Sequence, residues 1–339
     1  MNTIMATRPD QATPGSKGRT PISFIVVSWN TRDMLLALLQ RLEAIPDSET
    51  VVVDNASSDG SADAVAADAP NVTLIRNDSN AGFAAGVNLG LGAARHPLVL
   101  LVNTDAVVDA EAIDTLRAYA DAHPEAGIIG PRVLNEDRTI QSSCWRFPSL
   151  LNLFLLASCL YRVFPNSGFW NRERPAARLA SAGPVDAVSG CAFLVRRTLL
   201  ERIGTLDESF FMYAEDTDLC LRAWQAGCEV HYTPDAEIVH ACGGSSKRAS
   251  SRMAIEYRRS ILRFFDKHGG RARTEAARLL LLLFVVVRMP VWGMRSLIGS
   301  ERRIARGKLA DYLAGAGLLL QPMTRILERP TTPRTTSTA

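Results

Sequence analysis

Leu98-Val-Leu-Leu-Val102-Asn103-Thr104-Asp105 is an apolar run that stops on three polar residues, the last a carboxylate. A run of this length and composition reads as a buried strand. A carboxylate at the C-terminal end of such a strand lies where open α/β sheets bind their ligands. Working outward, residues 22–29 form a second apolar, β-rich run that leads into Asn30, and residues 34–42 follow with helical periodicity. Val51-Val-Val53 ends in Asp54-Asn-Ala-Ser-Ser-Asp-Gly60; residues 72–75 make another strand and residues 81–94 a Gly- and Ala-rich helix. Strands alternating with short helices predict an α/β fold with a Rossmann-like, doubly wound, mainly parallel sheet. Right-handed crossovers then set Asn30, Asp54 and Asp105 along one edge.

A second cluster of chemistry occupies residues 210–224, Phe-Phe-Met-Tyr-Ala-Glu-Asp-Thr-Asp-Leu-Cys-Leu-Arg-Ala-Trp, and His240 follows in Glu-Ile-Val-His. Asp207, Glu208, Glu215, Asp216 and Asp218 crowd this stretch. Glu215 and Asp216 stand between an aromatic run and an amphipathic helix. Apolar neighbours there would raise a carboxylate pKa and make it a usable base. One acid for a metal and another for a proton points to a transferase acting on a diphosphate donor.

The 339 residues suffice for a substantial core and one or two domains. The net charge of +3 hides an asymmetry: residues 251–339 carry 17 Lys+Arg against 6 Asp+Glu, and the rest of the chain is net acidic. A basic tail implies an anionic partner. This tail is also the most apolar part of the chain, so an anionic membrane surface is expected and nucleic acid is not. Six scattered cysteines without a CxxC pair exclude a zinc module or a dense disulfide framework and fit a reducing cytoplasm. Residues 1–20 are polar, with no apolar core segment, and read as a disordered tail, not a signal peptide.

Short strands are expected at residues 128–129, 192–195 and 229–232. Residues 150–164 are unusually apolar but fall short of the ~20 residues that span a bilayer. They read either as a buried helix or as one facing acceptor or membrane. Residues 251–325 form a basic, apolar helical region. Residues 279–287 are nine consecutive apolar residues between Arg278 and Arg288, with Pro290 beyond. No stretch of eighteen uncharged apolar residues occurs there, so interfacial helices are expected in place of a membrane span, and a helical domain packed on the core is the alternative. Residues 326–339 read as a disordered tail.

Six motifs in order carry a resemblance: Val26-Val-Ser-Trp-Asn30, Val53-Asp-Asn-Ala-Ser-Ser-Asp-Gly-Ser61, Asn77-Asp-Ser-Asn-Ala-Gly-Phe-Ala-Ala-Gly-Val-Asn-Leu-Gly90, Leu101-Val-Asn-Thr-Asp105, Val188-Ser-Gly-Cys-Ala-Phe-Leu-Val-Arg196, and Glu215-Asp216 with His240. Together they resemble glycosyltransferase family 2, of GT-A fold, and within it the bacterial rhamnosyltransferase-like branch of cell-surface polysaccharide assembly. The resemblance implies a catalytic domain over residues 21–250, with a nucleotide-sugar half (21–125) and an acceptor half (126–250). It implies an inverting transfer from a nucleotide-sugar donor to a saccharide acceptor, expected to be polyprenyl-linked, at the cytoplasmic face of the inner membrane with peripheral attachment. L-rhamnose from dTDP-rhamnose is the favoured donor; UDP-GlcNAc and UDP-galactose stay open, as does a catalytically silent nucleotide-sugar-binding scaffold. One departure stands out, since the family's metal motif is usually Asp-x-Asp and here it reads Asn103-Thr-Asp105.

Asp105 is the expected metal ligand, because a diphosphate leaving group carries charge that Mg²⁺ or Mn²⁺ neutralises. By resemblance His240 is a second ligand, Asp54 contacts the nucleotide, Asp216 is the general base with Glu215 its competitor, and Ser189, Gly190 and Cys191 form an acceptor loop. Asn30 is expected in the base pocket and Asn103 beside the donor. Asn80, Gly82, Gly86 and Asn88 mark a helix start that favours anions, although glycine there also serves helix–sheet packing. Arg76 is a candidate phosphate partner. Arg222 is placed with the acceptor, or else pairs with Asp218 at i,i+4. Asp54 also fits an Asx turn with the serines after it.

Overall fold

The structure, a computed structural model, describes residues 4–5, 19–163, 179–241, 250–298 and 302–328. Most of the two expected tails, 1–20 and 326–339, lies outside them. The elements begin with β1 (Ile4–Met5), β2 (Ile22–Ser28), α1 (Arg32–Glu43), β3 (Ser48–Asp54), α2 (Ser61–Asp68), β4 (Thr73–Arg76), α3 (Phe83–Ala93) and β5 (Leu98–Val102). Then come β6 (Ala106–Val107), α4 (Ala110–Ala122), β7 (Ala126–Leu134), β8 (Ile140–Gln141), β9 (Cys144–Trp145), α5 (Leu150–Ala157), β10 (Gly183–Pro184), β11 (Ala187–Val188) and β12 (Ala192–Arg196). The chain continues through α6 (Arg197–Ile203), α7 (Glu215–Gln225), β13 (Glu229–His240), α8 (Ser250–Leu297), α9 (Arg302–Leu319) and α10 (Met323–Ile326).

One sheet runs in the order β1-β4-β3-β2-β5-β12-β7-β13-β10. Strands β4, β3, β2 and β5 are parallel neighbours, β12 is antiparallel to β5 and β7, and β13 is parallel to β7. The chain departs from β2 in both directions, to β3 on one side and β5 on the other, which opens a crevice at their C-terminal ends. Ser28 sits opposite Asp54 in register, so the residues that follow β2 and β3 share that edge. Ile4–Met5 pair antiparallel with β4, so this part of the expected N-terminal tail belongs to the sheet edge.

Helices cover both faces. Leu35, Leu38, Leu39 and Leu42 bury the i, i+3, i+4, i+7 face of α1 against Val26 and Val52. On the other face Val87 and Leu91 of α3, Leu199 of α6 and Leu219 of α7 pack with Ile25, Val53 and Phe193. At Gly86 an added Cβ would lie 2.8 Å from Val27 Cγ1, and at Gly90 2.6 Å from Ile25 Cγ2. These glycines let α3 press directly on the sheet.

Beyond the sheet, β13 runs on to His240, well past the expected residues 229–232, through register shifts after Glu229 and Thr233. Helix α5 packs on α8; Leu153 joins Ile261, Leu262 and Leu281 in one cluster. Where interfacial helices without a membrane span are expected, the structure has one long helical element. Helix α8 spans 48 residues, breaks at Gly270 (φ 74°), and passes through Pro290 without ending. A proline removes one helix hydrogen bond and need not stop a helix that neighbours support. Residues Arg252–Leu297 are therefore long and apolar enough to cross a membrane by length and composition.

Candidate active site

A cleft of about 670 Å³ opens at the C-terminal ends of β2 and β5, within the range of small-ligand sites. The structure brings Asn80, Gly82, Asn103, Asp105, Ser189, Gly190, Cys191, Glu215, Asp216 and His240 into its lining.

On one wall, β5 delivers Asn103 and Asp105, and β13 pairs with β6 so that His240 stands opposite Ala106. His240 Nε2 comes within 3.1 Å of Asp105 Oδ1, and Asn103 Nδ2 lies 3.5 Å from the same nitrogen. The other ring nitrogen, Nδ1, is 2.9 Å from Gln141 Oε1. An amide oxygen only accepts, so this contact places the proton on Nδ1 and turns the Nε2 lone pair toward Asp105. Two lone pairs this close repel unless a proton or a cation lies between them. The donor set of one carboxylate, one imidazole and one amide, backed by Gln141, fits a divalent metal ion.

The opposite wall is the start of α7. Tyr213 (φ 70°) and Ala214 (φ 65°) are both left-handed, a conformation costly for residues with a Cβ. The turn aims Glu215 and Asp216, both buried, into the cleft. Asp216 Oδ2 accepts from the Gly190 N–H at 2.8 Å. Its Oδ1 accepts from the Thr217 N–H at 2.6 Å and from the Thr217 hydroxyl at 3.1 Å. Glu215 Oε2 is buried with no hydrogen-bond partner. Burial, and then the charge of Asp216, push the Glu215 carboxyl well up. Burial also raises Asp216, but the donors from Gly190 and Thr217 oppose it. The two environments push the pair apart, leaving Asp216 the first to ionise and Glu215 the one that keeps a proton.

Along the nucleotide edge, Asp54 Oδ2 accepts from the Ser57 N–H at 3.0 Å, an Asx turn. Its Oδ1 is buried and unpartnered. Asn30 (φ 55°) accepts from Ser58 N–H at 2.7 Å and braces the same loop without lining the cleft. Gly82 (φ 93°) is required by a close approach: a Cβ there would stand 2.5 Å from the Phe211 carbonyl oxygen. The Phe83 N–H donates to that same oxygen at 2.8 Å. Asn80 Oδ1 accepts from the Gly82 N–H. Asn88 is occupied with Leu206 through both amide atoms. Arg76 is away from the cleft, paired with Asp63 at 2.7 Å on the surface.

Arg222 pairs with Asp218 at 2.8 Å and donates to the carbonyls of Ile203 and Thr205. Asp218 is fully buried and also receives His268 at 2.7 Å and Lys267 at 2.8 Å from α8. Lys267 reaches Asp207 as well; burial pushes that carboxyl up, but the ammonium and the Ser209 N–H outweigh it and hold it down at about 2. Ser260 donates to the Met212 carbonyl at 2.8 Å. Helix α8 thus clamps the segment that carries Glu215 and Asp216. It also supplies Arg252, Met253, Tyr257 and Ile261 to the cleft. None of these, nor Gln141, was marked by a motif, because tertiary packing alone brings them in; Asn55, inside the motif at residues 53–61, also lines the cleft. A separate cluster, His123, Glu125 and His231, brings ligand atoms within 4.8 Å of one another. It lies at the opposite end of β13 from His240, and His231 is already held by Tyr119 and Glu229.

A GT-A-like sheet whose cleft holds a carboxylate–imidazole pair and two buried acids defines a glycosyltransferase class. The chain belongs to the Glycosyltransferase like family 2, whose profile matches residues 19–259. It is 31% identical over 232 residues to the N-acetylglucosaminyl-diphospho-decaprenol L-rhamnosyltransferase of Mycobacterium tuberculosis, covering 65% of this chain and 75% of the relative. It is 27% identical over 232 residues to the dTDP-rhamnosyl transferase RfbF of Shigella flexneri, covering 66% and 69%. A solved mannosyltransferase, PcManGT from Pyrobaculum calidifontis in complex with GDP-Man and Mn²⁺, shares the fold at a TM-score of 0.56 and 19% identity, over 92% of this chain and 90% of that one. The protein is a rhamnosyltransferase-like glycosyltransferase of polysaccharide synthesis.

Proposed function

We propose that this transferase moves L-rhamnose from dTDP-rhamnose to a lipid-linked saccharide, with inversion at the anomeric carbon, in a divalent-metal-dependent reaction. The observation that carries the reading is that Asp105 and His240, 3.1 Å apart, share one cleft with Asp216. Asp105 and His240, with Asn103 beside them, would hold the ion. When bound, a metal neutralises the charge of a diphosphate leaving group. Asp54, whose buried Oδ1 is unpartnered although the residue itself does not line the cleft, is assigned to the nucleotide, and Asn80 lines the donor side. Asp216, ionised, takes the proton from the acceptor hydroxyl as it attacks. Glu215, kept neutral by burial, donates a hydrogen bond in the same pocket.

Rhamnose and the lipid-linked acceptor are favoured by the names of the Mycobacterium tuberculosis and Shigella flexneri relatives. Residues 21–250 form the catalytic unit in this reading, donor half before acceptor half. The basic region 251–325 seats it on the anionic cytoplasmic face of the inner membrane. Leu279, Leu283, Val286, Met294 and Leu297 of α8 are exposed, at spacings that put them along one face of the helix. Arg288 and Arg278 lie off that face, donating to the carbonyls of Leu156 and Leu319.

A thermal-shift panel tests this reading. dTDP-rhamnose, UDP-GlcNAc, UDP-galactose and NAD are compared with and without Mg²⁺ or Mn²⁺, beside Asp105→Ala. A ligand at 100-fold its Kd adds about 2.7 kcal/mol of stability. Metal-dependent stabilisation by dTDP-rhamnose, lost in the variant, is expected; stabilisation by another sugar nucleotide replaces the donor, and none by any sinks the reading.

A further inference from the structure

We infer that Arg146 and Arg252 form the binding site for the diphosphate of an isoprenoid-diphosphate acceptor, and that the cleft between α5 and α8 takes its hydrocarbon chain. This rests on the proposed reading of a lipid-linked acceptor.

Charge distribution within the cleft carries the inference. Asp105, Glu215 and Asp216 are its carboxylates, and Arg146 and Arg252 are the Lys or Arg side chains among its described lining. The donor diphosphate is accounted for by the Asp105–His240 ligand set. A second anion in the same cleft needs its own cations, and guanidinium suits phosphate oxygens because its N–H fork matches their spacing. Both arginines flank the Glu215–Asp216 turn. Arg146 follows Trp145, whose Nε1 lies 3.3 Å from Thr217 Oγ1, which sets β9 against the start of α7. Arg252 lies 5.7 Å over the ring of Phe211, four residues before Glu215. The nearest acid on its own helix, Glu256, pairs with Arg259 at 2.6 Å and also feels the charge of Arg252.

The apolar half of the site is adjacent. Met253, Tyr257 and Ile261 fall at i, i+4, i+8 on one face of α8 and line the cleft together with Leu153 of α5. Leu151 and Phe154, next to Leu153 on α5, are exposed at 38% and 44%. An anionic head held beside the base and an apolar path leading outward match an isoprenoid diphosphate whose first sugar presents its hydroxyl to Asp216.

Calorimetric titration of farnesyl diphosphate into the full chain, saturated with dTDP and Mn²⁺, tests this. Wild type should bind, and Arg146→Gln and Arg252→Gln should each weaken binding at least ten-fold. Their affinity for dTDP should stay within two-fold, which also reports that they fold. Farnesol and inorganic diphosphate, each carrying half of the chemistry, should bind at least ten-fold more weakly than the intact lipid diphosphate. Absence of binding to wild type, displacement by dTDP, or variants that bind as wild type does would each overturn the inference. A separate transfer assay separates the two claims: farnesyl diphosphate binding that depends on the arginines, without transfer to any saccharide lipid, would sink the transferase reading and leave this subsite standing.

Discussion

The Gly190 N–H donates to Oδ2 of Asp216 across 2.8 Å. The loop after β11 and the first turn of α7 are therefore one unit, and the proposed base is oriented by the loop proposed to face the acceptor. With Thr217 holding the other oxygen, these donors oppose the rise that burial imposes on the Asp216 carboxyl.

Thr217→Val removes the hydroxyl donor while the backbone donors stay. Asp216 then loses one of the interactions that lower its pKa. The acid limb of kcat/KM should move to higher pH, with donor affinity unchanged. A limb that stays in place would show that Asp216 does not titrate in the rate-limiting event.

Glu215 gives a stability prediction with a definite sign. Its carboxyl is raised above its ordinary 4.5 by burial and by Asp216. Below that value both the folded and unfolded chains hold the proton. As pH rises, the unfolded chain releases it and the native one does not, so stability falls with pH until the native carboxyl also ionises. Glu215→Gln has no proton to lose. Its Tm should exceed that of wild type at pH 7, and the gain should vanish toward pH 4. A loss of Tm at neutral pH would contradict the assignment.

Gln141 fixes the tautomer of His240 from 99 residues away. Gln141→Leu should weaken Mn²⁺ binding about 10- to 100-fold, as is usual when the partner of a metal-bound histidine is lost. Titration of Mn²⁺ by calorimetry reads this directly; affinity equal to wild type would remove His240 from the ligand set.

Gly82→Ala would place a methyl group 2.5 Å from the Phe211 carbonyl oxygen at a backbone φ of 93°. Destabilisation of more than about 1 kcal/mol is expected where alanine must adopt positive φ. The displaced segment is the one that leads to Glu215, so kcat should fall along with Tm. A denaturation curve that overlays wild type would mean that the contact between α3 and residue 211 is dispensable.

Much of the donor half was legible because buried parallel strands are short apolar runs. Leu98–Val102 was read to the residue, and Asp105 followed from it. The sites of polar side chains were less legible. Arg222 makes the i,i+4 pair with Asp218 that its spacing offers as the alternative to an acceptor role, whereas Arg76 meets Asp63, thirteen residues away, which no local spacing marks. Strand β13 was undercounted because Pro234 and Asp235 interrupt its pattern, while its register shift lets pairing resume at Glu237. The contribution of α8 to the cleft was invisible. No sequence motif singles out Tyr257 or Arg252; Asp218, buried and triply paired, ties their helix to α7.

The central claim is a metal-dependent transfer in which Asp216 takes the acceptor proton. Single-turnover transfer of labelled rhamnose from dTDP-rhamnose to a GlcNAc-diphospho-polyprenol tests it most directly, with Mn²⁺ or EDTA, in wild type and Asp216→Asn. The expected result is product in wild type with Mn²⁺ alone, and a rate roughly 10²- to 10⁴-fold lower in Asp216→Asn, the range for loss of a general base, with dTDP affinity preserved. Equal rates in the variant, or full transfer in EDTA, would contradict the account.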